Sequence, residues 1–373
     1  MKGRAMSRIS SLAQSLAAWS SATDRRAEVL LDDVLHGRRP CYVLGRNEHS
    51  AWMVRRLDVQ GVIDDFVDTP GDWRGVRVVR SAQLAPGAVV LNAVLHKRPH
   101  TARAKLAQLP GRPELLDYAH CMRIDPERFP ALPFVQEARD LLDSRGQELE
   151  TLASRLADAE SARCLQDVFL YRLTGDPDFT TCYSLSCQRQ YFDIDLGLPE
   201  DRAVFVDGGA YCGETTEEFC RLHPGYGAVH VFEPNAASMQ VARNRLRDLR
   251  DIHFHSCALG ERRSQLHFDG SAANASRISE EGSSVIEVAA LDEMLSGHAH
   301  LLKYDLEGYE VRALEGARKL ISRWHPALAI CVYHRAADFV DVPAKVLDMH
   351  PDYTLRMRHY TEGWEETVLY CTP

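Results

Sequence analysis

Val204-Phe205-Val206-Asp207-Gly208-Gly209-Ala210-Tyr211-Cys212-Gly213-Glu214-Thr215 reads as a buried strand that ends in a carboxylate, enters a glycine-rich turn and opens a helix. About 20 residues further on, a typical spacing for such units, Val229-His230-Val231-Phe232-Glu233-Pro234 reads as a second strand closed by an acid. Glycines remove side chains where a ligand's backbone-like part must come close. The helix start offers N–H groups to an anion. A carboxylate such as Glu233 has paired acceptors that match the two donors of a ribose diol.

Working outward, strands are expected at Ala203 to Asp207, Ala228 to Phe232, Ile252 to Ala258, Leu301 to Asp305, Ala327 to Tyr333, Tyr353 to Met357 and Glu366 to Cys371. Helices fall between the first five, which predicts an α/β doubly wound sheet with an antiparallel hairpin at its end. A nicotinamide- or flavin-binding unit is the competing reading of the glycine turn. The pattern D-G-G-x-x-x-G departs from G-x-G-x-x-G and argues against it. Asp207, Gly208, Gly209, Tyr211, Gly213, Glu214, Thr215, Glu233 and Pro234 are the expected cofactor contacts, with Cys257 and Ala258 after the third strand as weaker candidates.

Upstream, residues 1–125 contain Pro40-Cys41-Tyr42-Val43-Leu44-Gly45-Arg46-Asn47, then Gly61 to Asp68, Val76 to Val79 and Ala88 to Asn92. These short alternating runs predict a smaller, degenerate Rossmann-like α/β domain. Gly45 is followed by no further glycine of the fingerprint, so the turn is expected to position structure or substrate and not a dinucleotide. Residues 126–172 carry leucines near helical spacing and predict a helical connector, a candidate surface for homodimer formation. Residues 173–373 form the expected catalytic domain.

The chain of 373 residues has a net charge of -9, which predicts no general attraction to nucleic acid or to anionic membranes. No apolar run approaches the length of a membrane span, and no signal peptide is read. Ten cysteines without CxxC pairing fit reduced thiols in a cytoplasmic protein.

A second informative segment is Leu302-Lys303-Tyr304-Asp305-Leu306-Glu307-Gly308-Tyr309-Glu310, in which a strand delivers Asp305 to a turn that exposes Glu307. Helix capping is the plain reading of Glu310. Together with Phe205 to Thr216, Phe232 to Asn235, Leu328 to His334 and Asp338, then Arg358 to Tyr360 and Glu366 to Tyr370, this segment resembles the FkbM family of methyltransferases. Tyr183 to Phe192 is similar to the entry segment of one branch of that family.

The resemblance implies a class I methyltransferase Rossmann-like fold and S-adenosyl-L-methionine as cofactor. It also implies methyl transfer to a hydroxyl of a small-molecule acceptor, such as a sugar or secondary metabolite. Asp305 and Glu307 then join the cofactor contacts. The acceptor's proton needs a base, and His334 is the expected one, because histidine titrates near neutral pH. Asp305 would orient it, take the proton itself or contact the ligand's amino group. Tyr333, Arg358 and His359 are expected at the acceptor. No metal is expected. A nicotinamide-dependent enzyme working through residues 1–125 and a non-catalytic cofactor-binding scaffold are the two alternatives.

Overall fold

The computed structural model describes residues 10–66, 71–109, 111–186, 188–269, 277–278 and 284–373. Val67 and Asp68, the end of one expected strand, and Cys187 of the entry segment lie outside these. The described residues pack as two units that are not contiguous in sequence. The first runs to Ser144 and includes Gln166–Tyr183 and Thr361–Glu365; the second takes Arg145–Leu165, Ser184–Tyr360 and Glu366–Pro373.

In the first unit, six strands are β1 (Cys41–Leu44), β2 (Gly61–Ile63), β3 (Asp72–Trp73), β4 (Val76–Val79), β5 (Val89–Asn92) and β6 (Glu114–Asp117). They lie in the order β3-β4-β2-β1-β5-β6, parallel except for the β3–β4 pair. Val43, Val89 and Leu91 are fully buried in its core, as continuous apolar runs of a two-sided parallel sheet require. The Gly45 turn leads to Asn47, whose side chain caps the short helix Glu48–Met53, while Arg46 pairs with Asp64 at 2.6 Å. This is the small parallel α/β unit expected.

Residues 126–172 form two helices, Pro133–Arg155 and Ala159–Thr174, the first broken at Arg145, where φ is -136°. Both helices are shared between the two units.

The second unit holds eleven strands. They are β7 (Val204–Gly208), β8 (Ala228–Phe232), β9 (Ile252–His255), β10 (Ala258–Leu259), β11 (Ser264–Asp269), β12 (Arg277–Ile278), β13 (Ser284–Ala289), β14 (Leu301–Tyr304), β15 (Ala327–Cys331), β16 (Thr354–His359) and β17 (Thr367–Thr372). Seven of them make one sheet, β16-β17-β15-β14-β7-β8-β9. Only β17 runs against the rest, pairing antiparallel with β15 and β16. This is the doubly wound sheet with a terminal hairpin.

The expected strand Ile252 to Ala258 divides in the structure: β9 stays in the large sheet, and Ala258 starts β10 of a separate sheet, β10-β13-β11-β12. Ala258, Ile286 and Val288 form a small core of their own. The order of the large sheet reverses between β7 and β14, so the carboxyl ends of these two strands border a crevice where open α/β sheets take their ligands.

Candidate active site

β7 ends in Asp207 and Gly208, paired in parallel register with Lys303 and Tyr304 of β14. Asp207 has no exposed surface. One of its oxygens lies 3.1 Å from Lys303 Nζ, and the other accepts from Thr216 Oγ1 at 2.7 Å. Its carboxylate is therefore an internal anchor of the turn. Lys303 Nζ also donates to the carbonyls of Gly209 at 2.7 Å and Gly208 at 3.2 Å. Burial works against the charge of Lys303, but Asp207 and Asp305 outweigh it and raise its pKa.

Gly209 has φ +74°, and a Cβ there would lie 1.9 Å from the Asp305 carbonyl oxygen. The turn thus rests directly on the backbone that follows β14, and no other residue type fits. Gly213, at φ +84°, precedes the helix Glu214–Leu222. Glu214 at the mouth of that helix pairs with Arg245 at 2.8 Å, and Thr215 follows it half-buried.

Glu233 follows β8 and is 8% exposed. Its two oxygens accept from the backbone N–H of Tyr211 at 2.9 Å and of Asn235 at 2.8 Å. Burial raises its pKa, against the pull of those two amides. Each oxygen has a further lone pair, so the carboxylate is fixed in place and still able to accept from a diol. Tyr211, with φ +48° and a half-exposed ring, stands next to it. Pro234 turns the chain away. Cys257 is buried between β9 and β10, its thiol pKa raised by burial.

Four residues meet at the ends of β14 and β15. His334 Nε2 lies 3.2 Å from Asp305 Oδ1 and 3.7 Å from Glu307 Oε2, and Nδ1 lies 2.9 Å from Glu310 Oε1. Glu307 occupies left-handed backbone at φ +53°, an uncommon conformation for such a residue and one concentrated at functional sites. Glu310 is fully buried, and its Oε1 also accepts from the Leu306 N–H at 2.7 Å. It therefore ties the Glu307 turn to the histidine, which is more than a helix cap does.

Burial alone would lower the pKa of His334, but Glu310 and Asp305 overcome it and raise it well above the ordinary value. Burial likewise opposes the charge of Asp305, yet His334, Lys303 and Tyr191 hold its carboxyl well below the usual carboxylate range. A ring that already carries its second proton has no lone pair for another. The two carboxylates thus favour the charged ring, the form in which His334 pairs with Asp305 rather than accepting a further proton. Tyr191 donates to Asp305 Oδ2 at 3.0 Å, and the Tyr333 hydroxyl stands 3.4 Å from Oδ1. Asp305, Glu310 and His334 also place ligand-type atoms within 4.8 Å of one another, a spacing that suits a cation as well as a proton.

Arg358 and His359 end β16 on the same edge of the sheet. The Arg358 guanidinium is bound to Asp158 at 3.1 Å and Glu160 at 3.0 Å. His359 is 2% exposed and shares a hydrogen bond with Thr367 at 2.9 Å. Neither is aimed at the carboxylate cluster by these contacts. Lys303 and Tyr191 were not among the expected site residues. A lysine inside Leu301-Leu302-Lys303-Tyr304 is a legible signal, because a buried lysine must be paired. Tyr191 lies in the segment Tyr183 to Phe192 that resembles the family's entry segment, but nothing there assigns it to Asp305.

Residues 207–362 match the family model described as the methyltransferase FkbM domain. The chain is similar to a solved structure of methyltransferase FkbM from Methylobacillus flagellatus KT. The identity is 23% and the TM-score 0.73, over 97% of this chain and 100% of that one. A likeness at that identity shows the fold. An rRNA methylase from Streptococcus thermophilus is similar at 16% identity and TM-score 0.33, over 47% of this chain and 89% of that one. No curated protein sequence matches the chain. Among the described residues, no helix is long and apolar enough to cross a membrane.

Proposed function

We propose that this chain, whose residues 207–362 form a methyltransferase domain of the FkbM family, moves a methyl group from S-adenosyl-L-methionine to a hydroxyl of a sugar or secondary metabolite. The observation that carries the reading is Glu233. It is a nearly buried carboxylate, held by two backbone amides, with lone pairs still open beside the Gly208–Gly209 turn. That arrangement suits the ribose of the cofactor, with the methionine part across the turn and the sulfonium near the β7–β14 crevice.

The acceptor hydroxyl then belongs beside Asp305. Bound S-adenosyl-L-methionine would supply an electrophilic methyl group for that oxygen, with the electron pair of the C–S bond left on sulfur as a neutral thioether. Holding the two reactants at attack distance supplies much of the acceleration. The ether oxygen becomes a far stronger acid than any carboxylic acid as the bond forms, so Asp305 accepts its proton even with a depressed pKa. His334, 3.2 Å from Oδ1, favours the ionised form of Asp305 in that role, and Tyr191 and Tyr333 orient it.

The test uses S-adenosyl-L-methionine carrying a ¹³C methyl group, with a panel of hydroxylated sugars and metabolites followed by carbon NMR. New O-methyl resonances support the reading. Label appearing only on nitrogen or carbon would move the acceptor class while leaving the family in place.

A further inference from the structure

Lys303 is 2% exposed and lies in a strand whose residues are all buried. An ammonium in that place is costly, and a buried ion pair is seldom a net source of stability compared with apolar packing. Its ammonium meets three specific oxygens: it donates to the Gly208 and Gly209 carbonyls and forms an ion pair with Asp207 Oδ1 at 3.1 Å. Two of the three belong to the main chain of the glycine turn, and the ammonium also stands 5.2 Å from the centre of the Tyr191 ring. Tyr191 in turn bonds Asp305. One side chain thus joins the turn that faces the cofactor to the residues that face the acceptor.

We propose that Lys303 is a positioning residue that fixes the Gly208–Gly209 turn and thereby sets cofactor affinity, with little net contribution to the stability of the fold. Hydrophobic side chains at this position would fill the same space and pack against Tyr191. They would leave the Gly209 carbonyl without the ammonium, while the Gly208 carbonyl keeps the Asp305 N–H at 3.1 Å, so the turn would lose one of its ties to β14. The inference rests on the cofactor assignment made above.

Replacing Lys303 alone strands the Asp207 charge, so the test works in the Asp207→Asn background. S-adenosyl-L-methionine is titrated calorimetrically into wild type, Asp207→Asn, Asp207→Asn/Lys303→Met and Asp207→Asn/Lys303→Gln, with thermal unfolding of each. Asp207→Asn leaves the lysine within reach of both carbonyls and is the reference against which the two double variants are compared. The methionine double variant is expected to remain folded and bind at least about tenfold more weakly than Asp207→Asn. The glutamine double variant, with one amide donor pair, is expected in between, and it carries the comparison if the methionine variant does not fold. Equal affinity of the single and double variants would overturn the positioning role while leaving the cofactor assignment standing. Failure of wild type to bind would remove both.

Discussion

Glu310 Oε1 lies 2.9 Å from His334 Nδ1 and, with the same oxygen, accepts the Leu306 N–H. A fully buried acid at the start of one helix therefore sets both the charge of the histidine and the course of the turn that carries Glu307. The pair makes the site a fixed array of charges: Glu310 holds His334, His334 holds Asp305, and Asp305 faces the crevice.

Replacing Glu310 by Gln removes the strongest influence that favours the charged ring. The titration midpoint of His334, followed by imidazole NMR, is expected to drop. An unchanged midpoint would mean that Asp305 alone sets the charge.

The same pair governs stability at high pH. The folded pKa of His334 lies well above the ordinary value, so its contribution is complete below about 6.5 and is lost as pH rises through the folded value. Asp305 has the opposite sign: its contribution is present above the ordinary aspartate range and lost as pH falls toward its depressed folded value. Denaturant unfolding across the alkaline range should show stability falling in wild type and a flatter curve in His334→Gln.

Gly209→Ala combines a left-handed φ with a Cβ that would overlap the Asp305 carbonyl. The expected loss is about 2–5 kcal/mol by urea unfolding, from the conformational penalty and overpacking together. Gly197, at φ +65° with nothing near its missing Cβ, provides the control. Gly197→Ala should cost only about 1–2 kcal/mol.

How much of this was visible in the chain depends on where each partner lies. The strands of the large sheet are buried on both faces, so Val204 to Val206 and Ala327 to Ile330 read as unbroken apolar runs. β11 mixes polar and apolar residues in Ser264-Gln265-Leu266-His267-Phe268-Asp269, and its sheet is held by pairing with β13, so no local pattern announced it. Glu233 was legible because its role follows from its place after β8. Lys303 was legible as a lysine that needs a partner, but which partner was not, and Glu310 was not legible at all, because their partners come from other elements: Asp207 ends β7, and His334 follows β15. Burial decides their role, and a capping position in sequence says nothing about burial.

Arg358→Gln tests the ion pair at the end of the edge strand β16. Burial opposes ionisation of Asp158, yet Arg358 and Ser161 bring its pKa down to about 2. That contribution is present above about 3.8 and is lost as pH falls toward the folded value. The variant is expected to unfold at a higher pH during acid titration, followed by circular dichroism, while retaining methyl transfer. Loss of acceptor affinity with unchanged acid stability would instead place Arg358 at the substrate.

The most direct measurement is calorimetric titration of S-adenosyl-L-methionine, with NAD as comparison, into wild type and Glu233→Gln. One saturable site for the methyl donor is expected, with none for NAD. The Gln variant should lose about 1.5–3 kcal/mol of affinity for each charge-assisted hydrogen bond removed. Thermal unfolding is followed alongside, because the Gln amide can accept from only one of the Tyr211 and Asn235 N–H groups. Binding of the donor that is unaffected by Glu233→Gln, or no binding at all, would contradict the account.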